Sequence, residues 1–155
     1  MVTFVSHSYE VNKQTYALIP IAHLEYNTLV LEEKRKIYVK QTPKQIIHES
    51  CLKGGASYEG RRKAVMYKTN IQRKVPIPID PLQDIFAFPT HSPDHFHCHW
   101  IFPNHILSSA SLPKSRYETT ITFKNKETIT LPISRTSLEK QIHRTSYCRF
   151  LFTYQ

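Results

Sequence analysis

Glycine is scarce in this chain, with 3 residues in 155, all of them between positions 54 and 60. That scarcity excludes the glycine-rich loops of phosphate-cradling and dinucleotide-binding enzymes, and neither a Walker loop nor a G-x-G-x-x-G pattern occurs. The G-x-S-x-G turn of nucleophilic hydrolases is missing as well. Cysteine is equally thin: Cys51, Cys98 and Cys148 are widely separated and odd in number. Such spacing builds neither a disulfide framework nor paired C-x-x-C metal knuckles, so reduced and mostly buried thiols are expected. No run approaches the roughly 20 apolar residues that a membrane-spanning helix needs. The first residues lack the charged start and apolar stretch of a secretory signal, so the expected location is cytoplasmic.

Acidic residues are also in short supply. There are 12 against 21 lysines and arginines, a formal net charge of +9 with all nine histidines neutral. A surface of that sign attracts polyanions, nucleic acid before an anionic membrane. The remaining composition, 40% hydrophobic and 12% aromatic, is that of a folded chain, and its length suits a single domain over residues 1–155.

Along the chain, β-branched and aromatic runs at Thr15 to Ile19, Thr28 to Leu31 and Arg35 to Lys40 read as strands. In the third, Ile37 and Val39 alternate with Lys36, Tyr38 and Lys40, the pattern of a half-exposed antiparallel sheet. Thr42-Pro43 followed by Gly54 brackets a short helix with a capping residue, a proline in the first turn and a terminating glycine. A second helix is allowed after Gly60, and Ser57 to Arg61 reads as a glycine turn with unusual backbone angles. Ile85 to Phe88 is an apolar strand, and Glu118 to Phe123 with Glu127 to Leu131 reads as a hairpin around Lys124-Asn125-Lys126. Thr136-Ser137-Leu138-Glu139 has capping-box spacing and predicts a final helix to about Leu151, with Leu138, Ile142, Thr145 and Phe152 on its inner side. The expected class is α+β: a mostly antiparallel sheet with one or two short central helices and a C-terminal helix.

Taken in order, several segments resemble the ComK family of competence transcription factors. They are Tyr9-Glu10-Val11-Asn12, Ser57-Tyr58-Glu59-Gly60-Arg61, Asp80-Pro81 with Ile85-Phe86-Ala87-Phe88-Pro89-Thr90, Leu131-Pro132-Ile133-Ser134 and Arg144-Thr145. The resemblance implies a transcription factor that binds double-stranded DNA and activates DNA-uptake genes. It implies contact through the minor groove at paired AT-rich boxes, by a homo-oligomer assembled from dimers, and delivery to a Clp protease by an adaptor. It also implies a chain that continues past the final helix, whereas this sequence stops at Gln155. A cytoplasmic, nucleoid-associated protein without cofactor or enzymatic activity is the corresponding expectation.

The residues expected to meet DNA follow from charge. Arg61, Arg62, Lys63, Lys68, Arg73 and Lys74 occur with no acidic residue before Asp80, and the final helix adds Lys140 and Arg144 opposite its apolar side. Clustered cations displace condensed counterions from a duplex, and arginine suits a narrow, electronegative AT-rich minor groove. Arg61 and Arg62, beside a glycine, are the first choice for contact. Lys34, Arg35 and Lys36 read as solvated surface. The rival site is His91, His95, His97, Cys98 and His99: on a strand, His95, His97 and His99 project to one side, an arrangement suited to zinc. That alternative makes the chain a zinc-stabilised module or a zinc-dependent nucleic-acid enzyme. Pro93, which interrupts a strand, and the absence of a carboxylate in the run other than Asp94 weigh against it. A third reading keeps the charge but not the promoter specificity: a non-specific or modulatory relative of the same family.

Overall fold

The computed structural model describes residues 1–153. Ten strands and three α-helices follow one another as β1 (Val2–Ser6), β2 (Thr15–Pro20), β3 (Thr28–Glu32), β4 (Arg35–Val39), α1 (Pro43–Lys53), α2 (Tyr58–Thr69), β5 (Ile77–Asp80), β6 (Ile85–Pro89), β7 (Trp100–Ile101), β8 (Ile106–Leu112), β9 (Ser115–Phe123), β10 (Thr128–Leu131) and α3 (Arg135–Thr153). Seven strands form one sheet in the order β1-β4-β3-β2-β7-β6-β5, and the other three form a second sheet, β10-β9-β8. Every pairing is antiparallel except β1 with β4. The α+β expectation holds.

The large sheet is a middle layer. Successive side chains of a strand leave opposite faces, and here both faces are covered. Leu18, Val30, Ala87 and Trp100 enter a core with Ile46 and Ile47 of α1 and Val65 of α2. Their neighbours Ala17, Leu31, Phe88 and Ile101 enter a second core with Ile121 and Phe123 of β9, Leu131 of β10 and Leu138 of α3. Strands buried on both faces read as continuous apolar runs, which is why Ile85 to Phe88 shows no alternation.

Helix α1 begins as the sequence predicts. Thr42 and Gln45 form a reciprocal capping box, Pro43 occupies the first turn and Gly54 closes the helix. Gly54 is obligatory for a further reason: a Cβ there would collide with the carbonyl oxygen of Ile79. Helix α2 departs from expectation. It starts at Tyr58, not after Gly60, because the Ser57 hydroxyl accepts from the Gly60 amide at 3.0 Å and caps the first turn. Gly60 is therefore helical, and the left-handed glycine is Gly55, with φ of 101°. Helix α3 likewise starts two residues earlier than the Thr136 capping box suggests: the Ser134 hydroxyl accepts from the amide of Ser137 at 3.1 Å. Glu139 is drawn into an ion pair with Arg135 at 3.2 Å.

At the end of β3, Glu32 is buried. It accepts hydrogen bonds from Arg35 Nε at 2.5 Å, from Asn12 Nδ2 at 3.3 Å and from the Tyr9 hydroxyl. Burial by itself raises its carboxyl, but the bonds from Arg35, Tyr9 and Asn12 outweigh it and hold Glu32 below the ordinary 4.5. A depressed folded-state value confers stability that is present above 4.5 and lost as the pH falls through the folded value. Glu32→Gln is accordingly expected to lower Tm at neutral pH, with a deficit that shrinks as the pH drops below 4.5. Thermal melts across that range check this; a deficit that stays constant with pH would assign the loss to packing alone.

Candidate nucleic-acid interface

The basic residues of α2 do not share one fate. Lys63 and Lys68 are exposed, and the Lys68 ammonium lies 5.7 Å from the centre of the Phe152 ring of α3. Arg62 is half-buried and 3.9 Å from Glu59, a loose pair one turn away. Arg61 is the most committed to the fold: its Nη2 donates to the Gly54 carbonyl at 3.0 Å, and its Nε is buried with no hydrogen-bond partner. Its guanidinium also draws the buried Cys51 thiol down against a larger rise from burial, which leaves that thiol near 12. Removing Arg61 therefore costs local structure as well as charge.

After α2 ends at Asn70 in the left-handed conformation, the chain turns through Arg73 and Lys74 into β5. Arg73 is exposed, and Lys74 is half-buried with a left-handed φ of 49°. Two side chains of α3 hold this turn. Gln141, 2% exposed, donates from Nε2 to the Lys74 carbonyl at 2.9 Å and to the Pro89 carbonyl at 2.8 Å. Arg144 donates from Nη1 to the Arg73 carbonyl at 3.2 Å and to Gln141 Oε1 at 3.3 Å. The two basic segments that the sequence separates by about seventy residues thus meet, with Lys140 exposed on the same helix. Helical periodicity placed Ile142 on the buried side; Gln141 occupies that role, while Ile142 packs half-buried against the second core.

The histidine segment is not a strand. His95 and Cys98 close successive turns, their amides donating to Ser92 at 2.8 Å and His95 at 3.0 Å, and extended pairing resumes only at Trp100. The alternation needed to bring His95, His97 and His99 to one side is lost, as Pro93 foreshadows. Among the described residues, no three His, Cys, Asp or Glu side chains converge as a metal site. His91 and His95 instead stack, with ring centres 5.0 Å apart and planes at 17°. Cys98 is buried and its thiol is pushed up to about 11, chiefly by burial.

The sequence reading missed the tip of the β8–β9 hairpin. Pairing skips from Ser111 with Thr119 to Leu112 with Ser115, so Arg116, Tyr117 and Glu118 bulge out, and bulges of this kind re-aim side chains. Lys114 and Arg116 are exposed and share a cleft of about 650 Å³ with Arg135 at the start of α3. The serine-rich β8 has too weak an alternation to announce itself. Of the patch expected as solvated surface only Lys34 is exposed: Arg35 and Lys36 are half-buried, Arg35 turned to the buried Glu32 and Lys36 3.7 Å from Glu127.

Exposed cations thus stand at the hairpin tip (Lys114, Arg116), on α3 (Lys140), before β5 (Arg73) and on α2 (Lys63, Lys68), while Arg135 is paired with Glu139.

Comparison with known proteins gives two matches. The family model described as "ComK protein" matches residues 6–155. The protein named "Competence transcription factor" from Bacillus subtilis (strain 168) is 37% identical over 146 residues, covering 94% of this chain and 75% of its own length. No solved structure matches.

Gln141→Leu keeps the volume but leaves the Lys74 and Pro89 carbonyls without their donor. A loss of about 1–3 kcal/mol in stability is expected for each buried group so orphaned, measurable by urea unfolding. A change within about 0.5 kcal/mol, the range of an ordinary surface substitution, would contradict the clamp.

Proposed function

This chain belongs to the ComK family, and from that premise we propose that it is a competence transcription factor that binds double-stranded DNA and activates DNA-uptake genes. The observation that carries the reading is the meeting of two basic segments, where Arg144 and Gln141 of α3 grip the backbone of Arg73 and Lys74, and we read the cations on these elements as one track. Lys63, Lys68, Arg73, Lys74, Lys140 and Arg144 neutralise phosphates, as does Arg62 after parting from Glu59. Arg61 contributes by holding the start of α2 against Gly54.

Paired AT-rich boxes are the proposed target, read through the minor groove. Phosphate contacts set register, whereas A·T preference comes from groove width and ease of deformation. The bulged hairpin tip, with Pro113, Lys114 and Arg116 exposed, has the residue types that enter a minor groove: an apolar wedge flanked by cations. Two boxes call for two-fold assembly, so the acting species is a dimer or a higher oligomer. A cytoplasmic, nucleoid-associated location follows from the same role. Binding, not catalysis, carries the function.

Fluorescence anisotropy over a series of salt concentrations tests this, with a duplex carrying paired AT-rich boxes and a scrambled duplex of equal composition. The parent is expected to prefer the paired boxes. Each of Arg73→Gln and Lys140→Gln should weaken binding to both duplexes and reduce the salt slope by about 1. Equal affinity for the two duplexes would favour the non-specific or modulatory relative. Unchanged salt slopes in both variants would take the track out of the interface.

A further inference from the structure

Two segments with unrelated sequence character meet at one cavity. Its volume is about 550 Å³, and its walls include Tyr58 and Arg62 of α2, Arg73 and Lys74 before β5, and His91 and His95 of the histidine loop. No carboxylate lines it. Glu59 is turned to Arg62, at 3.9 Å, and Asp94 of the loop is held by Lys44 of α1, with Nζ 2.5 Å from its Oδ1. Three permanent cations and two imidazoles therefore face a common space lined by no carboxylate, with Arg62 keeping a loose partner in Glu59.

The cavity is held by groups outside it. Lys74 keeps a left-handed backbone, a conformation that a non-glycine residue holds only when its surroundings over-determine it. Gln141 supplies that constraint through the Lys74 carbonyl, and Arg144 does the same at Arg73. On the opposite wall, Nδ1 of His91 lies 2.9 Å from the Thr90 hydroxyl, which leaves Nε2 as the ring nitrogen for a ligand. His95 fixes the plane of that ring by stacking on it.

We infer that this cavity is a phosphate seat for the DNA backbone, in which Arg62, Arg73 and Lys74 supply fixed charge and His91 closes the fourth side by taking up a proton as the anion enters. The inference rests on the DNA-binding reading above and names a site within it. It gives the histidine loop a role that needs no metal.

Proton uptake follows from the surroundings of His91. Burial first, then His95, His99, Lys74 and His97, hold this imidazole below its ordinary value. Arg62 and Arg73 add positive charge from α2 and the β5 lead-in, Glu59 offsets part of that of Arg62 at 3.9 Å, and Asp94 is paired with Lys44. A seated phosphate reverses the sign of that field. A group that gains a proton on binding makes affinity rise as pH falls, by up to about tenfold per pH unit for one proton.

The experiment is anisotropy with the paired-box duplex at constant ionic strength, from about pH 8 down to about pH 6, the interval in which histidine changes charge. The parent is expected to gain about tenfold or more in affinity across that interval. His91→Gln should bind within about threefold of the parent at the upper limit and lose most of the gain, while His7→Gln, away from the cavity, should keep it. An equal gain in His91→Gln would overturn the inference while leaving DNA binding intact. A second measurement needs no variant: the His91 ring resonance of the parent, followed by NMR, should titrate at higher pH in the duplex complex than alone, and an unmoved titration would overturn the inference. Inorganic phosphate is the third arm. If it moves the His91 resonance where a saturating duplex does not, the seat takes free phosphate and the DNA assignment is overturned. Absence of salt-dependent duplex binding at any pH would instead remove the DNA reading itself.

Discussion

The interaction on which most of this architecture depends is the buried amide of Gln141. Its single Nε2 donates to two carbonyls from different parts of the chain, at Lys74 before β5 and at Pro89 at the end of β6. Helix α3 also gives Leu138 to one core and Cys148 to the other, and its Arg149 makes a bidentate bond with Asp84 at 2.6 Å. Apolar contacts alone permit a helix to slide or turn on a sheet, because the hydrophobic effect has no direction. A buried amide that must satisfy fixed carbonyls does not permit it. The registration of α3 against the sheet edge is in this sense a polar decision made inside an apolar layer.

That registration organises the charge. Cations along a chain repel one another, and +9 on 155 residues works against compactness. Pairing offsets part of it: Arg35, Lys36, Lys44 and Lys53 are each set beside an acidic side chain, as are Arg62, Arg135 and Arg149. Lys63, Arg73 and Lys140 are exposed. On the DNA-binding reading proposed above, such exposed cations repel one another in the free protein and a polyanion relieves that repulsion, so self-repulsion is exchanged for long-range attraction.

Much of this was legible in the sequence, and what was not has physical reasons. Cap chemistry is local, so α1 was readable to the residue. At α2 and α3 an earlier serine competes with the expected signal, and Ser57 and Ser134 win because their hydroxyls reach the third residue's amide first. Charge along the chain identified the basic segments, but only tertiary structure brings Arg144 to Arg73 and separates the committed Arg61 from the exposed Lys63. Strands β1 and β8 escaped notice because one is exposed along most of its length and the other is mostly serine. The family-like segments also gain a physical sense. Tyr9 and Asn12 bond Glu32, Ser57 caps α2, Asp80 caps the turn after β5, and the Thr145 hydroxyl donates to Gln141 at 2.7 Å.

The three cysteines carry one more consequence. Cys51 sits in α1 beneath α2, Cys98 in the histidine loop and Cys148 in α3, all buried and all held as thiols by burial that pushes them to about 11 or 12. The thiolate is the species that reacts, so the folded molecule is nearly blind to alkylating and oxidising reagents. Reactivity returns only when a region opens. The chain therefore contains three built-in clocks, one each for the helix pair, the loop and the C-terminal helix, and their labelling rates report how often each part of the molecule breathes.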